Sequence, residues 1–382
     1  MGFHEFSSPY DWSRIAAYKR TAKAAFGGMI DLSVGSPVDP VPDSVRKALA
    51  VAANDPNAYG YPVTAGTADL RAAIAEWFSV TRNVDLQAIH ADVVPTVGSK
   101  EGVALMASLL HCDEGDVVVQ PKVSYPTYEI GTQLAGAQVL KVDDVADVAS
   151  WRNVPGVKAV WVNSPCNPTG EVYSAERMAD IVAAAREIGA VVLSDECYAL
   201  MQWRGATNSA DGDPLQSTPC ALRSDVCAGS AEGVLVLYSL SKQSNMAGYR
   251  TAFIAGDEAL VAPMTAYRKQ IGQIIPGPVQ AAMAAGLRDL EAVKVQHARY
   301  RERLGVLVSA LRAYGYCTDM PDGALYVWVR AKSGDCWTDM EQLAKIGIIA
   351  SPGEFYGAPE CLRFSATASD EAIASAAERL AR

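Results

Sequence analysis

The sequence predicts an α/β fold in which a large domain, built on a mostly parallel sheet with helices on both faces, is joined to a smaller α+β domain. Two patterns carry this reading. From Asp92 onward, short apolar β-rich runs alternate with longer helical stretches. From about residue 285 these give way to a long charged helical passage, followed by the strand-like runs GALYVWVRA and ECLRFSATA. A third observation is bulk: of 382 residues, 50% are hydrophobic and 20% charged, which suits substantial cores and rules out a generally disordered acidic chain.

Taken in order, residues 1–34 form an N-terminal arm that also contributes to the small domain, since PYDWSRIAAYKRTAKAAF is helix-forming but short of a domain. PVDPVPDSVRKALAVAA is a proline-rich helix entry, with Pro42 in an early turn and Asp43 and Ser44 serving orphan amides. NAYGYPVTAGTADLRAAIAEWF reads as a glycine-rich surface segment leading into an apolar-periodic helix. Strand and helix then pair as ADVVPTVG with KEGVALMASLLH, DVVVQ with PTYEIGTQLAG, and VKAVWVNSP with SAERMADIVAAAREIG, and AVVLSDECY and GVLVLYSLS continue the series. Residues 205–233, polar and broken by glycine and proline, are expected as a surface excursion. The expected boundaries are 1–34 for the arm, 35–284 for the large domain and 285–382 for the small one.

With 33 Lys and Arg against 43 Asp and Glu, the formal charge is −10, which disfavours broad binding to nucleic acid or anionic membranes and leaves room for a local basic pocket. Eight cysteines without a CxxC pair and four histidines make no evident metal cluster, so no metal is expected and the cysteines read as reduced thiols. The start MGFHEFSSPYDWSR lacks a basic segment followed by a long apolar run, and no segment approaches about 18 apolar residues. A soluble cytoplasmic protein is the expectation.

Four clusters carry chemistry. In VNSPCNPTG, residues 162–170, Asn167 can donate and accept at a strand end while Pro168 and Gly170 set the chain direction; a capped turn is the other reading. Asp195 ends the apolar run of VVLSDECY, where an isolated charge is costly, so a cation such as a protonated pyridine nitrogen would explain it, as would a helix cap or an ion pair. Tyr198 can donate to a nearby phenolic oxygen or simply pack. LYSLSKQSNMAGYR, residues 237–250, offers hydroxyls at Ser239 and Ser241, an amine at Lys242 able to form an imine and shuttle a proton, and Arg250, which with Ser239 can grip a phosphate. Taken singly, Lys242 and Arg250 read equally as surface charges. In TVGSKEG, residues 96–102, Gly98, Ser99 and Lys100 can present donors to a phosphate at a helix N-terminus, without the pattern of a nucleotide-binding loop.

In this order, GSK, NPTG, DECY and SLSK followed by GYR resemble the fold-type I pyridoxal 5′-phosphate aminotransferases of class I and II, and the resemblance runs from DLSVGSPVDPVPDSV to PGEFYG and CLRFSA. It implies that Lys242 carries the cofactor and shuttles the proton, and that Asp195 keeps the pyridine nitrogen protonated. Asn167 and Tyr198 would bracket the phenolic oxygen, Cys197 would pack beneath the ring and Tyr125 would stack above it, where some relatives have Trp. Gly98, Ser99, Lys100 or its amide, Ser239 and Arg250 would hold the phosphate, and Tyr61 would reach the phosphate of the neighbouring subunit in a homodimer. Arg363 would clamp a substrate α-carboxylate with two parallel hydrogen bonds, assisted by Asn167 and the Gly35 amide. Cys166 and Cys197 read as packing residues.

Within the family the motifs look most like the actinobacterial N-succinyldiaminopimelate aminotransferases of lysine and diaminopimelate synthesis. The implied reaction exchanges an amino group between glutamate and N-succinyl-2-amino-6-oxopimelate. Broader amino-acid transamination and C–S β-elimination use the same cofactor and stay open, as does a noncatalytic cofactor-binding regulatory domain.

Overall fold

The computed structural model describes residues 10–203 and 218–382. The first nine residues of the arm and residues 205–217 of the expected excursion lie outside the described residues. The chain begins with α1 (Ala16–Ala24), β1 (Ile30–Asp31), α2 (Asp43–Ala52) and α3 (Ala68–Trp77). It continues through β2 (Ala91–Val97), α4 (Ser99–Leu109), β3 (Val117–Pro121), α5 (Thr127–Leu134), β4 (Gln138–Val142), β5 (Val157–Asn163), α6 (Ala175–Glu187) and β6 (Val191–Asp195). After residue 218 come β7 (Val234–Ser239), α7 (Leu240–Gln243), β8 (Thr251–Asp257), α8 (Glu258–Gln270), α9 (Gly277–Arg288) and α10 (Leu290–Ala313). The last elements are β9 (Tyr326–Arg330), α11 (Cys336–Lys345), β10 (Ile348–Ile349), β11 (Ser351–Pro352), β12 (Cys361–Ser365) and α12 (Asp370–Leu380).

The mostly parallel sheet expected from the strand–helix alternation is present, with seven strands in the order β2-β8-β7-β6-β5-β3-β4. Only β8 runs against its neighbours, β2 and β7. Its connection from β7 is a short segment around α7, too brief for the crossover that a parallel return needs. Strand periodicity divides the core in two. Val160 and Val162 of β5, with Val192, Val236 and Phe253, face a cluster holding Trp77, Phe78 and Trp151. Ala159 and Trp161, with Leu193, Leu235 and Ile254, face Val103 and Met106 of α4, Tyr128 of α5 and Met264 of α8. A sheet apolar on both faces requires helices on both, as the sequence pattern implied.

A second core forms around the antiparallel sheet β11-β12-β9. Tyr300, Leu304, Leu307 and Leu311 of α10 pack there with Ile15 and Ala22 of the arm. Strand β1 adds a two-residue parallel pairing with β10. The pattern change near residue 285 falls inside α9, and the break between α9 and α10 is Asp289, whose side chain caps Ala292.

Two local expectations are corrected. At the start of α2 neither Asp43 nor Ser44 serves an orphan amide, because Pro42 is the cap residue, the Ser44 hydroxyl donates to Asp289 and Asp43 pairs with Arg46. The described part of the expected surface excursion is core: Cys220, Leu222, Val226, Cys227 and Ala231 are buried in the large cluster. An ion pair holds this segment, since Arg82 donates to Glu196 at 2.9 Å and to the Pro219 carbonyl at 2.7 Å, while Glu196 accepts from the Ala221 amide at 2.8 Å and the Ser194 hydroxyl at 3.0 Å. Among the described residues no helix is long and apolar enough to cross a membrane, and no group of three or more His, Cys, Asp or Glu is placed to hold a metal ion.

Both side chains of the Arg82–Glu196 pair are essentially inaccessible, so removing one strands the other. Arg82→Met is expected to lower stability by about 3–5 kcal/mol. Chemical denaturation would measure this, and a loss below about 1 kcal/mol would contradict it.

Candidate active site

Strands β5, β6 and β7 end at one rim of the large sheet, where Asn163 pairs with Asp195, β7 runs two residues past that pair to Ser239, and all three line a cleft of about 270 Å³. Such rims are where open α/β sheets bind ligands. Asp195 is 6% exposed, and its Oδ2 accepts from the Tyr128 hydroxyl at 2.7 Å while Oδ1 accepts from the Cys197 amide at 3.1 Å. Among the described residues it has no ion-pair partner, although it lines the cleft. Burial pushes its pKa up, against the hydrogen bonds from Tyr128 and Cys197. A buried carboxylate in this condition is a site for a cation, and a protonated pyridine nitrogen meets the need.

Lys242 lies in α7, half-buried, and its amine donates to the Gly35 carbonyl. Burial lowers its pKa, the nearby Arg363 and Arg250 add to the effect, and Tyr326 and Cys197 oppose it. The neutral, nucleophilic amine is thereby favoured. A buried carboxylate without a countercharge and a lowered-pKa lysine in one cleft fit a pyridine aldehyde.

Phosphate chemistry gathers at the other end. Ser239, 1% exposed, bonds the Ser241 hydroxyl at 2.8 Å and caps α7 through the Ser241 amide at 3.1 Å. Arg250, exposed at the cleft and in a left-handed conformation, donates to the Ala247 carbonyl at 2.9 Å. Ser99 and Lys100 open α4 and line the cleft. Gly98 does not line it and instead permits the guanidinium to approach, because at φ +77° a Cβ there would lie 2.2 Å from Arg250 Nη2. Among the residues lining the cleft, Lys100, Arg250 and Arg363 are basic, Lys242 contributes its amine of lowered pKa, and Asp195 is the one carboxylate.

Arg363 enters from β12. It is 4% exposed, its Nη1 donates to Asn167 Oδ1 at 2.7 Å and its Nη2 to the Ser33 carbonyl at 2.8 Å, and its buried Nε has no hydrogen-bond partner. Accepting from Arg363 leaves the NH₂ end of Asn167 as its donor; the Asn167 backbone is fixed by Asn163, whose Oδ1 accepts from its amide at 2.8 Å. Gly35 lines the cleft and contributes its carbonyl, to Lys242.

Tyr125, Cys197 and Tyr198 also line the cleft. Burial keeps the Tyr198 and Cys197 protons in place far above neutral pH, which suits a hydroxyl donor and an inert thiol. Cys166 is buried away from the lining, its thiol pushed up to about 11 by burial. Tyr61 does not join the cleft and stands fully exposed, with Tyr59 and Val63 also exposed.

Sequence reasoning missed Tyr128, Tyr326, Asn163, Tyr10 and Trp12. Tyr128 had a signal, standing one helical turn from Tyr125 in PTYEI. Tyr326 had none, since GALYVWVRA reads as an ordinary apolar strand. Tyr10 and Trp12 reach the cleft from the arm, where Lys100 Nζ lies 5.7 Å from the Tyr10 ring centre.

Residues 27–380 match the family model described as aminotransferase class I and II. The 4-dedimethylamino-4-oxo-anhydrotetracycline transaminase of Streptomyces rimosus is 40% identical, over 97% of this chain and 98% of that protein. A probable aminotransferase of Mycobacterium tuberculosis is 39% identical, over 97% and 84%. A probable N-succinyldiaminopimelate aminotransferase from Thermus thermophilus superposes with TM-score 0.84 at 27% identity, over 97% and 99%.

The lowered pKa of Lys242 has a direct consequence. In competitive acetylation of the cofactor-free protein across pH, Lys242 is expected to gain reactivity at lower pH than the exposed lysines. Coincident profiles would contradict the desolvated amine.

Proposed function

Because the chain belongs to the class I and II aminotransferases, which depend on pyridoxal 5′-phosphate, we propose that it acts as an N-succinyldiaminopimelate aminotransferase, passing the amino group of glutamate to N-succinyl-2-amino-6-oxopimelate. The observation that carries this reading is the make-up of the cleft, Lys100, Arg250 and Arg363 beside the Lys242 amine and against a single carboxylate, in a chain of net charge −10. With Arg250 assigned to phosphate, Lys242 to the aldehyde and Arg363 to the α-carboxylate, and with the Lys100 backbone amide rather than its amine serving the phosphate, the Lys100 side chain is left for a further acidic group. The likeness to the Thermus thermophilus protein supports the same substrate.

When bound, the cofactor supplies the electron sink that makes the substrate Cα–H acidic. In this reading Asp195 accepts the pyridine N–H, held for it by Tyr128. Asn167 and Tyr198 donate to the phenolic oxygen. Ser99, Ser239 and Arg250 hold the phosphate, with Gly98 allowing the arginine its place. Lys242 would hold the cofactor through its aldehyde, and its amine would serve as the base that takes up and gives back the proton of the substrate Cα. Arg363 grips the α-carboxylate and fixes that proton within reach of Lys242. Tyr61, exposed beside Tyr59 and Val63, completes the phosphate site of a second subunit in a homodimer.

Identity to the Streptomyces rimosus transaminase favours a second reading, amination of a polycyclic ketone. Arg363 serves the amino donor in that case too. Product-resolved assays of the purified, cofactor-loaded protein separate the two. N-succinyl-LL-2,6-diaminopimelate with 2-oxoglutarate is expected to react fastest, yielding glutamate and the 6-oxo acid together; faster turnover of an unsuccinylated donor or of the polycyclic amine would overturn the substrate assignment. Arg363→Lys is expected to raise KM for glutamate about 10- to 100-fold, the loss of a planar two-point grip on a carboxylate. An unchanged KM would remove Arg363 from that role.

A further inference from the structure

Tyr326 belongs to no motif, yet its hydroxyl lies where the elements of the cleft converge. It is 2% exposed, and its oxygen lies 2.7 Å from that of Tyr198. Its ring lies under the Arg363 guanidinium, 4.0 Å from the ring centre. Gly35 closes the third side so tightly that a Cβ there would sit 2.2 Å from the Tyr326 oxygen, and the Gly35 carbonyl accepts from Lys242. Strand register produces this placement. In the β9–β12 pairing Tyr326 faces Ser365 and Trp328 faces Arg363, so Tyr326 and Arg363 are diagonal neighbours on one face of the small sheet.

We infer that Tyr326 is a positioning residue for both halves of the site, its hydroxyl strengthening Tyr198 as the donor to the cofactor's phenolic oxygen and its ring setting the plane of Arg363 for the substrate carboxylate. This rests on the pyridoxal phosphate site proposed above. When Tyr198 gives its own proton to the phenolic oxygen, the Tyr326 hydroxyl becomes the donor to Tyr198, and a hydroxyl that accepts a hydrogen bond donates more strongly. The ring acts separately. A guanidinium lying over an aromatic face is attracted to it and held flat, the geometry a two-point carboxylate grip requires.

Three variants separate the hydroxyl from the ring. Tyr326→Phe removes only the hydroxyl. Weaker donation from Tyr198 disfavours the deprotonated form of the lysine-bound chromophore, so the pH midpoint of the holoenzyme's visible absorption is expected to rise by about 0.3. Gly35→Ala, which crowds the same oxygen without removing a polar group, is expected to move the midpoint in the same direction. Tyr326→Leu removes the ring and is expected to weaken binding of glutarate, a carboxylate probe with no amino or keto group, about five-fold, while Tyr326→Phe stays within about two-fold of wild type.

A midpoint in Tyr326→Phe equal to wild type overturns the role of the hydroxyl. Equal glutarate affinity in Tyr326→Leu and wild type overturns the role of the ring. A residue that merely filled space would lower the stability of all three variants and leave the Phe midpoint and the Leu-to-Phe affinity ratio unmoved. Failure of the underlying reading looks different: wild-type protein would then develop no visible band with pyridoxal phosphate and no borohydride-fixed label on Lys242, and this inference would fall with it.

Discussion

A carboxylate at the end of a buried strand, with no countercharge of its own, is the constraint on which this site depends. Asp195 has two hydrogen-bond donors and no cation among the described residues, and such a group is costly unless something positive meets it from the cleft. Much of the surrounding fold holds that unmet charge in position. Tyr128, stacked on Trp161 with ring centres 4.5 Å apart, brings its hydroxyl to Oδ2, and the Asn163 amide donates to the Asp195 carbonyl at 2.9 Å. The next residue, Glu196, carries the opposite solution: its charge is fully met by Arg82, and the pair ties β6 to the segment after residue 218. Adjacent carboxylates on one strand end therefore divide the work, one neutralised inside the core and one left for a ligand.

The clamp for the carboxylate comes from the other sheet. Arg363 and Tyr326 reach the cleft from β12 and β9, Gly35 from the passage before α2, where the Ser33 carbonyl accepts from Arg363, and Tyr10 and Trp12 from the arm. Lys242 and Arg363 stand far apart in sequence, and Gly35 is where they come together, since its carbonyl holds the lysine and its lack of a side chain admits Tyr326 against the arginine. A glycine is needed there for space, whereas Gly98 is needed both for space and for its positive φ. The net negative charge of the chain coexists with a basic cleft because a few cations aimed into one low-dielectric space set the local potential, whatever the sum over the surface.

Legibility followed chemistry. Asp195, Asn167, Lys242 and Arg250 stood out in the sequence as polar groups near apolar strands, though singly each also read as a cap, a pair or a surface charge, and the order of their motifs and the role of Arg363 came from the family resemblance. The structure gathers them into one cleft. Tyr326 offered no such signal, since an aromatic residue in an apolar strand is what a core requires anyway. The segment after residue 218 misled for the converse reason: glycine, proline and serine marked it as surface, while Cys220, Leu222 and Val226 were too widely spaced to show a period. At α2 the local capping rule lost to tertiary partners, Arg46 for Asp43 and Asp289 for Ser44.

The alternation of apolar runs with helical stretches, by itself, determined the parallel sheet with helices on both faces, because period and apolar content are properties of the chain alone. The candidate reactive groups Asn167, Asp195, Lys242 and Arg250 were visible there as charges and amides near strand ends, and the motif order, through its resemblance to a family, gave them their roles and added Arg363. Only the tertiary structure decided which surfaces meet: that Tyr128 reaches Asp195, that β9 and β12 pair in the register that sets Tyr326 beneath Arg363, and that Gly35 lies between the two halves of the site. These are contacts between residues distant in sequence, fixed by how sheets and helices pack and by where buried polar groups find partners, and no local pattern encodes them.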